Sequence, residues 1–442
     1  MPKVSVLLPS LNVSAYIDNC IKSVREQTIS DIEIIAVDAC SIDGTYEILQ
    51  RHASDDPRIR VISSPKRSYG HQLNLALSNA TGEYIAVVET DDYIEPNMME
   101  VLSSNADKYA LDYVKGYSNA FWSLKNGSSY IVENDRIPVG ASSVFSPCDM
   151  PHLLLYEFHF WTGVYRRSFL EGIRFNETAG AAFQDIGFII QTLIKAKRAM
   201  FVDQPVYWYK CNNEYSSVYN INGFQYLIDE YSFVPKVVNI KNKEWKNLIY
   251  LRWFMQTLER FRMMALSGDF WLGADKQIAF IRDKLANYIS EYENIPFHLL
   301  SDESHALLRL FLISPKEVYD YFVEKYASLF SMAKRIEEWA SGREVIVYGC
   351  GKLGRFLHAM LSLKCNAIVM AFADRDEKLW KNSVQGIPVF SPLEITKAFP
   401  DAYYLIAVKS DNETIRHYLM ERGIKESHVY WEEVITDTFL LI

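Results

Sequence analysis

Three short stretches concentrate the side chains that could do polar chemistry. The first is YIAVVETDDYIEP, Tyr84 to Pro96, in which an apolar run leads straight into Glu89, Thr90, Asp91 and Asp92. Crowded carboxylates repel one another, and a hard divalent cation offsets that repulsion. Mg²⁺ and Mn²⁺ suit such a site, because Mg²⁺ takes one or two carboxylates and fills its shell with phosphate oxygens and water. Strand alternation puts Glu89 and Asp91 on the same side, which makes them the candidate metal ligands. The alternative is structural: Asp92 could cap the helix suggested by IEPNMMEVL. The second stretch is DACSIDGT, Asp38 to Thr45, following the apolar run IEIIAV. Its Asp38 and Asp43 could contact a ligand or simply close an Asx-type turn. The third is GCGKLG, with Gly349, Gly351 and Gly354 in the GxGxxG spacing and Asp374 further on. Between a strand and a helix, such glycines allow a tight turn and close backbone approach to a phosphate, so these four residues are candidates for binding a nucleotide.

The elements around these stretches alternate in type. Val4 to Leu8 reads as a strand, Ala15 to Gln27 as a helix with Ile17, Ile21 and Val24 on one face, and Ile32 to Val37 as a second strand. Gly44 to His52 reads as a helix, Arg60 to Ile62 as a strand, Leu73 to Asn79 as a helix and Tyr84 to Val88 as a strand. This βαβα rhythm predicts an α/β fold, a mostly parallel sheet with helices on both faces. PSLN, DACSIDGT and ETDD each follow a strand, so the topology gathers them along one edge, where such sheets bind ligands. Residues 111–217 are rich in aromatics, and from about Asn220 to Trp339 the pattern is helical and aromatic. After Ser341-Gly342 a second α/β texture begins, with EVIVY, GCGKLG and YYLIAV. Three segments are expected: 1–220, a helical stretch at 221–340, and a smaller α/β domain at 341–442.

VSVLLPSLN, IEIIAVDACSIDGT and ATGEYIAVVETDDYIEPN, in that order, resemble the nucleotide-sugar-binding half of bacterial family 2 glycosyltransferases, which have the GT-A fold. The likeness continues through FWTGVYRRSFLEGIRFNE, AAFQDIGFIIQTLIKAKRAMFVDQPVYWYK and NNEYSSV, and covers roughly residues 1–220. It implies a hexosyltransferase type of enzyme that moves a sugar, with inversion, from a nucleoside diphosphate sugar to a hydroxyl. UDP-sugar is the first expectation for the donor. The acceptor is expected to be a carbohydrate or lipid-linked saccharide in surface-polysaccharide assembly. On this resemblance Asp38 meets the nucleobase or ribose, with Pro9, Ser10 and Asn12 as the adjacent wall. Asp91, supported by Glu89, holds the Mg²⁺ or Mn²⁺. Asp185 is the general base, although its position also suits an N-cap of the helix IGFIIQTLIKA. Lys210, with Ser216 and Ser217, reaches the diphosphate. Trp161 is either a sugar-stacking wall or core, and Gln184 and Asp92 border the sugar or acceptor.

The chain also departs from the family pattern. Ala39 and Cys40 stand where the usual VDDGSTDGT has Asp and Gly, Glu89 opens the Asp-x-Asp, Gln184 replaces the acid before the base, and Leu73 replaces an arginine. The 341–442 segment is similar to small Rossmann-like modules that accompany sugar-modifying enzymes and transferases. It lacks a Tyr-x-x-x-Lys, which disfavours hydride transfer. Two other readings remain: a nucleotide-sugar-binding scaffold without catalysis, and an NAD-linked sugar-modifying enzyme built on GCGKLG.

The whole chain sets bounds on all of this. Its 442 residues with 49% hydrophobic content can form real cores, and a formal net charge of −9 argues against a nucleic-acid partner. Six cysteines without metal spacing suit a reducing, cytoplasmic setting. No apolar run approaches the roughly 18 residues of a membrane span, so any membrane contact is expected to be peripheral, at the inner face. The aromatic helical stretch could supply a homo-oligomeric interface.

Overall fold

A computed structural model describes residues 1–133, 140, 142–156, 159–213, 220, 222–267, 273–292 and 294–434. By internal packing the chain divides into two compact units. The first comprises Met1–Asn119, Glu133–Tyr209 and Asn213–Phe322; the second comprises Ala120–Val132, Lys210–Asn212 and Val323–Ile442.

The first unit opens with the alternation read from the sequence. Strands β1 (Val4–Ser10), β2 (Ile32–Asp38), β3 (Ile59–Ser63) and β4 (Tyr84–Val87) interleave with helices α1 (Ile17–Arg25), α2 (Thr45–Asp55) and α3 (Tyr69–Asn79). Helix α1 forms because its apolar residues fall on one stripe: Ile17, Cys20, Ile21 and Val24 are buried while the opposite face carries Asp18 and Lys22. The strands are nearly continuous apolar runs, as parallel strands covered on both faces must be. All seven residues of β1 are buried.

Beyond β4 the sheet changes character. Short β5 (Tyr93–Ile94) precedes helix α4 (Met98–Lys108), and the long strands β6 (Tyr113–Ser123) and β9 (Ala199–Lys210) join with β7 (Ser129–Glu133) and β8 (Gly163–Arg166). The order is β3-β2-β1-β4-β8-β6-β9-β5, with β7 on β6. β2 and β4 flank β1 in parallel, whereas β8 pairs antiparallel with β4 and with β6. The sheet is thus mixed rather than mostly parallel, because the aromatic 111–217 segment adds its strands in the antiparallel sense. Helix α5 (Gln184–Lys195) follows β8, and α6 (Gly223–Val237), α7 (Lys243–Ser267), α8 (Asp275–Glu291) and α9 (Asp302–Ile313) complete this unit. The stretch expected as a separate helical segment therefore packs with the first sheet as far as Phe322, and helix α10 (Pro315–Ala340) continues into the second unit.

The second unit holds β10 (Glu344–Tyr348), α11 (Lys352–Lys364), β11 (Ile368–Ala373), β12 (Ser383–Val384), β13 (Ile387–Phe390), α12 (Pro392–Ala398), β14 (Tyr403–Ile406), α13 (Asn412–Glu421) and β15 (Val429–Tyr430). Its sheet runs β12-β13-β11-β10-β14-β15. All neighbours are parallel except β12 and β13. Ile346, Ala371, Tyr404, Ile406 and Leu419 belong to its core. Among the described residues no helix is long and apolar enough to cross a membrane.

Candidate active site

The carboxyl ends of β1 and β2 are tied side by side. Ser10 pairs in register with Asp38, and both are buried. The side-chain amide of Gln72, on α3, donates to the carbonyls of Ser10 and Val37, each at 2.7 Å, which closes the sheet beneath them. Thr90 Oγ1 donates to the carbonyl of Pro9 at 2.9 Å, and this fixes the acidic stretch to the same strand end. Asn12, at φ 53°, accepts from the Ile42 amide through Oδ1 and donates its own amide to Ser41 Oγ. These contacts fold PSLN against the DACSIDGT loop.

The two aspartates of that loop differ. Asp43 accepts from the Thr45 amide and hydroxyl and from the Ser14 amide; burial pushes its carboxyl up, but these bonds outweigh it and hold the group at about 2. It is the turn residue. Asp38 accepts only a 3.1 Å bond from the Ser41 amide at Oδ2 among the hydrogen bonds of the described residues, and its buried Oδ1 has no partner there. A buried carboxylate oxygen left open is costly unless something donates to it, and a ligand hydroxyl or N–H would do so. Next in sequence but one, Cys40 adopts φ 60° and is exposed, its thiol donating to the Ser64 carbonyl at 3.5 Å.

The acidic stretch is a built turn. Tyr207 Oη accepts from the Glu89 amide at 2.9 Å and donates to Asp92 Oδ2 at 3.0 Å. Asp92 is only 1% exposed. It holds the turn from inside, so the expectation that it borders the sugar or acceptor is corrected. Nor does it cap α4, which starts at Met98 with Asn97 in the cap position. Glu89 and Asp91 are partly open to solvent. Burial, with the charges of Asp91 and Asp185, lifts the Glu89 carboxyl to about 8 against the opposing hydrogen bond from Tyr69. Asp91 Oδ2 accepts from Asn213 Nδ2 at 2.6 Å.

No group of three His, Cys, Asp or Glu that could hold a metal occurs among the described residues. The donor set here is instead two carboxylates, and burial first, then the neighbouring charges of Asp91 and Asp185, push that of Glu89 up to about 8. That set fits Mg²⁺ or Mn²⁺, for which two oxygens from the protein leave room for ligand oxygens and water.

Asp185 enters from α5. Phe183, at φ 65°, turns the chain into the helix and takes the cap position, so Asp185 is not the N-cap but lies in the first turn. Its carboxyl is pushed up by burial and held back by Arg252, by the amides of Asp185 and Ile186, and by Lys115. Lys115 is 2% exposed. Burial lowers its ammonium to about 7 while Asp185 opposes. Its Nζ stands 5.7 Å and 5.8 Å from the ring centroids of Tyr113 and Tyr165. Glu230, from α6, accepts from the Gly187 amide at 2.8 Å and from Asn176 Nδ2 at 3.0 Å. A methyl group on Gly187 would stand 2.1 Å from Glu230 Oε1, so this approach requires glycine. Tyr69 links the acids: burial drives its phenol well up, and the charges of Glu89, Asp185 and Asp91 all add to the shift.

Other expected residues take different places. Gln184, 1% exposed, accepts from the Ala182 amide and donates to Thr178 Oγ1, so it shapes its own loop instead of facing a sugar. Trp161 is 6% exposed, stacked on His159 at 4.2 Å and against Tyr207 at 4.1 Å. It is core here, one of the two roles the sequence left open. Lys210 belongs to the second unit, where its Nζ donates to Ser123 Oγ and Asn212 Oδ1. Ser216 and Ser217 lie outside the described residues. In GCGKLG, Gly349 has φ 104° and Gly354 packs so closely on the Gly349 carbonyl that a Cβ would stand 1.8 Å away. Asp374 Oδ2 accepts from the Cys350 amide at 2.8 Å and Oδ1 from the Asp376 amide at 2.9 Å, so its carboxylate stitches this turn.

Sequence reasoning missed Tyr69, Lys115, Asn213, Glu230 and Arg252. A lysine inside the apolar strand LDYVKGY was a readable signal, since a charge there must be partnered. Nothing local marked Arg252, which lies in α7, far along the chain from the acid it faces.

Residues 5–121 match the family model described as "Glycosyl transferase family 2", and residues 341–430 match "C2185-like, N-terminal". The "Uncharacterized glycosyltransferase EpsJ" of Bacillus subtilis is 30% identical over 217 residues, 48% of this chain and 62% of that protein. A "Chondroitin synthase" of Escherichia coli is 39% identical over 101 residues, 23% of this chain and 15% of that protein. The chain thus spans less than two thirds of the length of the curated relatives it matches. Among solved structures, S. aureus TarS 1-349 in complex with UDP-GlcNAc superposes with a TM-score of 0.55 at 18% identity, covering 74% of this chain and 92% of that one. In sequence over residues 5–121 the protein matches glycosyltransferase family 2, and in fold it is similar to TarS.

Proposed function

We propose that this chain is an inverting glycosyltransferase that moves a sugar from a nucleoside diphosphate sugar to a hydroxyl acceptor. One observation carries the reading: Glu89 and Asp91, in the turn after β4, and Asp185, in the first turn of α5, all act electrostatically on Tyr69, whose hydroxyl meets the Glu89 carboxylate. In this reading the open oxygen of Asp38 accepts from the nucleoside, beside Pro9, Ser10 and Asn12. Glu89 and Asp91 would hold Mg²⁺ or Mn²⁺, which supplies charge neutralisation for a diphosphate. Asp185 takes the acceptor's hydroxyl proton as that oxygen bonds to the anomeric carbon. The bond from the same carbon to the diphosphate breaks, its electron pair leaves with the diphosphate, and the anomeric configuration inverts. Arg252 and Lys115 keep Asp185 ionisable where burial alone would protonate it. The UDP-GlcNAc complex of TarS makes UDP-sugars the first donors to try. A carbohydrate or lipid-linked saccharide at the inner face of a membrane is the acceptor class we favour.

The test is UDP release from a panel of UDP-sugars with Mn²⁺ and a lipid-linked saccharide extract, together with calorimetric titration of UDP. Asp185→Asn is expected to lower turnover by about 10²–10⁴-fold while UDP affinity stays within about twofold. Asp91→Asn is expected to abolish the Mn²⁺ dependence of UDP binding. Unchanged turnover in Asp185→Asn would refute the assignment of the base. Metal-dependent UDP binding without turnover on any acceptor would favour a binding scaffold instead.

A further inference from the structure

The second unit contains a cavity of about 770 Å³ lined by Tyr348, Arg375, Trp380, Lys381 and Tyr418 among others. Tyr348 ends β10, and Arg375 follows β11 by two residues. The cavity therefore opens at the carboxyl ends of the parallel strands, where sheets of this kind take ligands. It is separate in chemistry from the glycine turn, whose aspartate is already engaged by the Cys350 and Asp376 amides.

Its lining has two parts. Two partly exposed aromatic rings, Trp380 and Tyr418, give flat apolar surface on which a planar ring can stack, and the buried Tyr348 backs them. Two cations, Arg375 and Lys381, stand at the open side, both exposed. The carboxylate at the rim, Glu394, is turned into the capping box of α12 by Ser391. Arg375 has a loose pairing with Asp411 at 3.7 Å, with both side chains more than half exposed. Such a pair contributes little and yields readily to a stronger anion. Lys381 sits at φ 63°, a conformation that an L-residue rarely adopts and that tends to persist where surrounding structure or function demands it.

Stacking surface plus cations, in a cavity large enough for a small molecule, selects a ligand that has both an aromatic ring and negative charge. We propose that this cavity binds a nucleotide, ring against the aromatic wall and phosphates toward Arg375 and Lys381, as a site distinct from the one holding Asp38, Asp91 and Asp185.

Equilibrium binding of ADP, GDP, UDP, dTDP and NAD to the full chain tests this. The double variant Arg375→Glu, Lys381→Glu alters exposed side chains, and it is compared with Asp38→Ala and with wild type after circular dichroism shows matching folded spectra. At least one nucleotide is expected to weaken by about tenfold or more in the double variant and to stay within about twofold in Asp38→Ala. Trp380→Phe, which retains a ring, is expected to bind that nucleotide more tightly than Trp380→Ala. The proposal is overturned if no nucleotide binds up to millimolar concentration, or if the double variant leaves all binding within about twofold. Nucleotide binding lost in Asp38→Ala alone would sustain the transferase reading while sinking this one, so the two fail separately.

Discussion

Glu89 is the residue on which protonation and cation binding meet. Its carboxyl titrates near 8 because burial and two neighbouring carboxylates disfavour its charge. A cation coordinated by Glu89 and Asp91 must displace that proton. In the presence of UDP, Mn²⁺ affinity is therefore expected to rise from pH 6.5 toward 8 by up to about tenfold per unit, then level off. Glu89→Gln should bind more weakly and lose that slope; an unchanged slope would show that Glu89 is not a ligand. The sequence indicated the pair Glu89 and Asp91 because two acids after an apolar run are conspicuous. It could not indicate their inequality, which depends on Tyr69 and Asp185 arriving from elsewhere. Residue type and spacing alone did not separate Asp38 from Asp43; the family resemblance singled out Asp38, and hydrogen bonding reveals that Asp43 is saturated while Asp38 Oδ1 is open.

Among elements, α5 is the one whose placement matters most. Its first turn carries Asp185, and its flank accepts Glu230 of α6 against the bare backbone of Gly187. Gly187→Ala puts a carbon 2.1 Å from Glu230 Oε1, closer than atoms tolerate. Either the Glu230 carboxylate swings away and gives up its bond to the Gly187 amide, or α5 and α6 shift apart. The expected result is a loss of roughly 2 kcal/mol in unfolding free energy and a fall in turnover larger than the loss in UDP affinity. Denaturant titration and turnover assays measure both. If turnover is untouched, the α5–α6 contact does not position Asp185. The parallel half of the sheet was legible because each strand and helix announces itself by local periodicity. The antiparallel strands β6, β8 and β9 were not, since aromatic runs such as FVDQPVYWYK fix a strand's presence without fixing its partner or sense.

For the whole molecule, the motifs end near residue 220 while the first unit does not. Arg252 and Glu230 come from the helices beyond, and Tyr231 stacks on Trp253 at 4.9 Å between α6 and α7. A chain cut after residue 220 would keep the motif-bearing residues up to that point but uncover α5 and strip Asp185 of a cation. It is expected to lack cooperative thermal unfolding by circular dichroism and to show no transfer, whereas a soluble, active truncation would show the helices to be dispensable. Sequence texture suggested a boundary at 220 because chemical signals stop there, but packing is decided by buried faces that carry no motif. Of the six cysteines, Cys20, Cys350 and Cys365 are buried, Cys148 and Cys211 are partly covered, and Cys40 alone is exposed. The native chain thus carries its own attachment point two residues from Asp38: a maleimide should label Cys40 first, and UDP with Mn²⁺ should slow that labelling, giving an occupancy readout that needs neither an acceptor nor an engineered thiol.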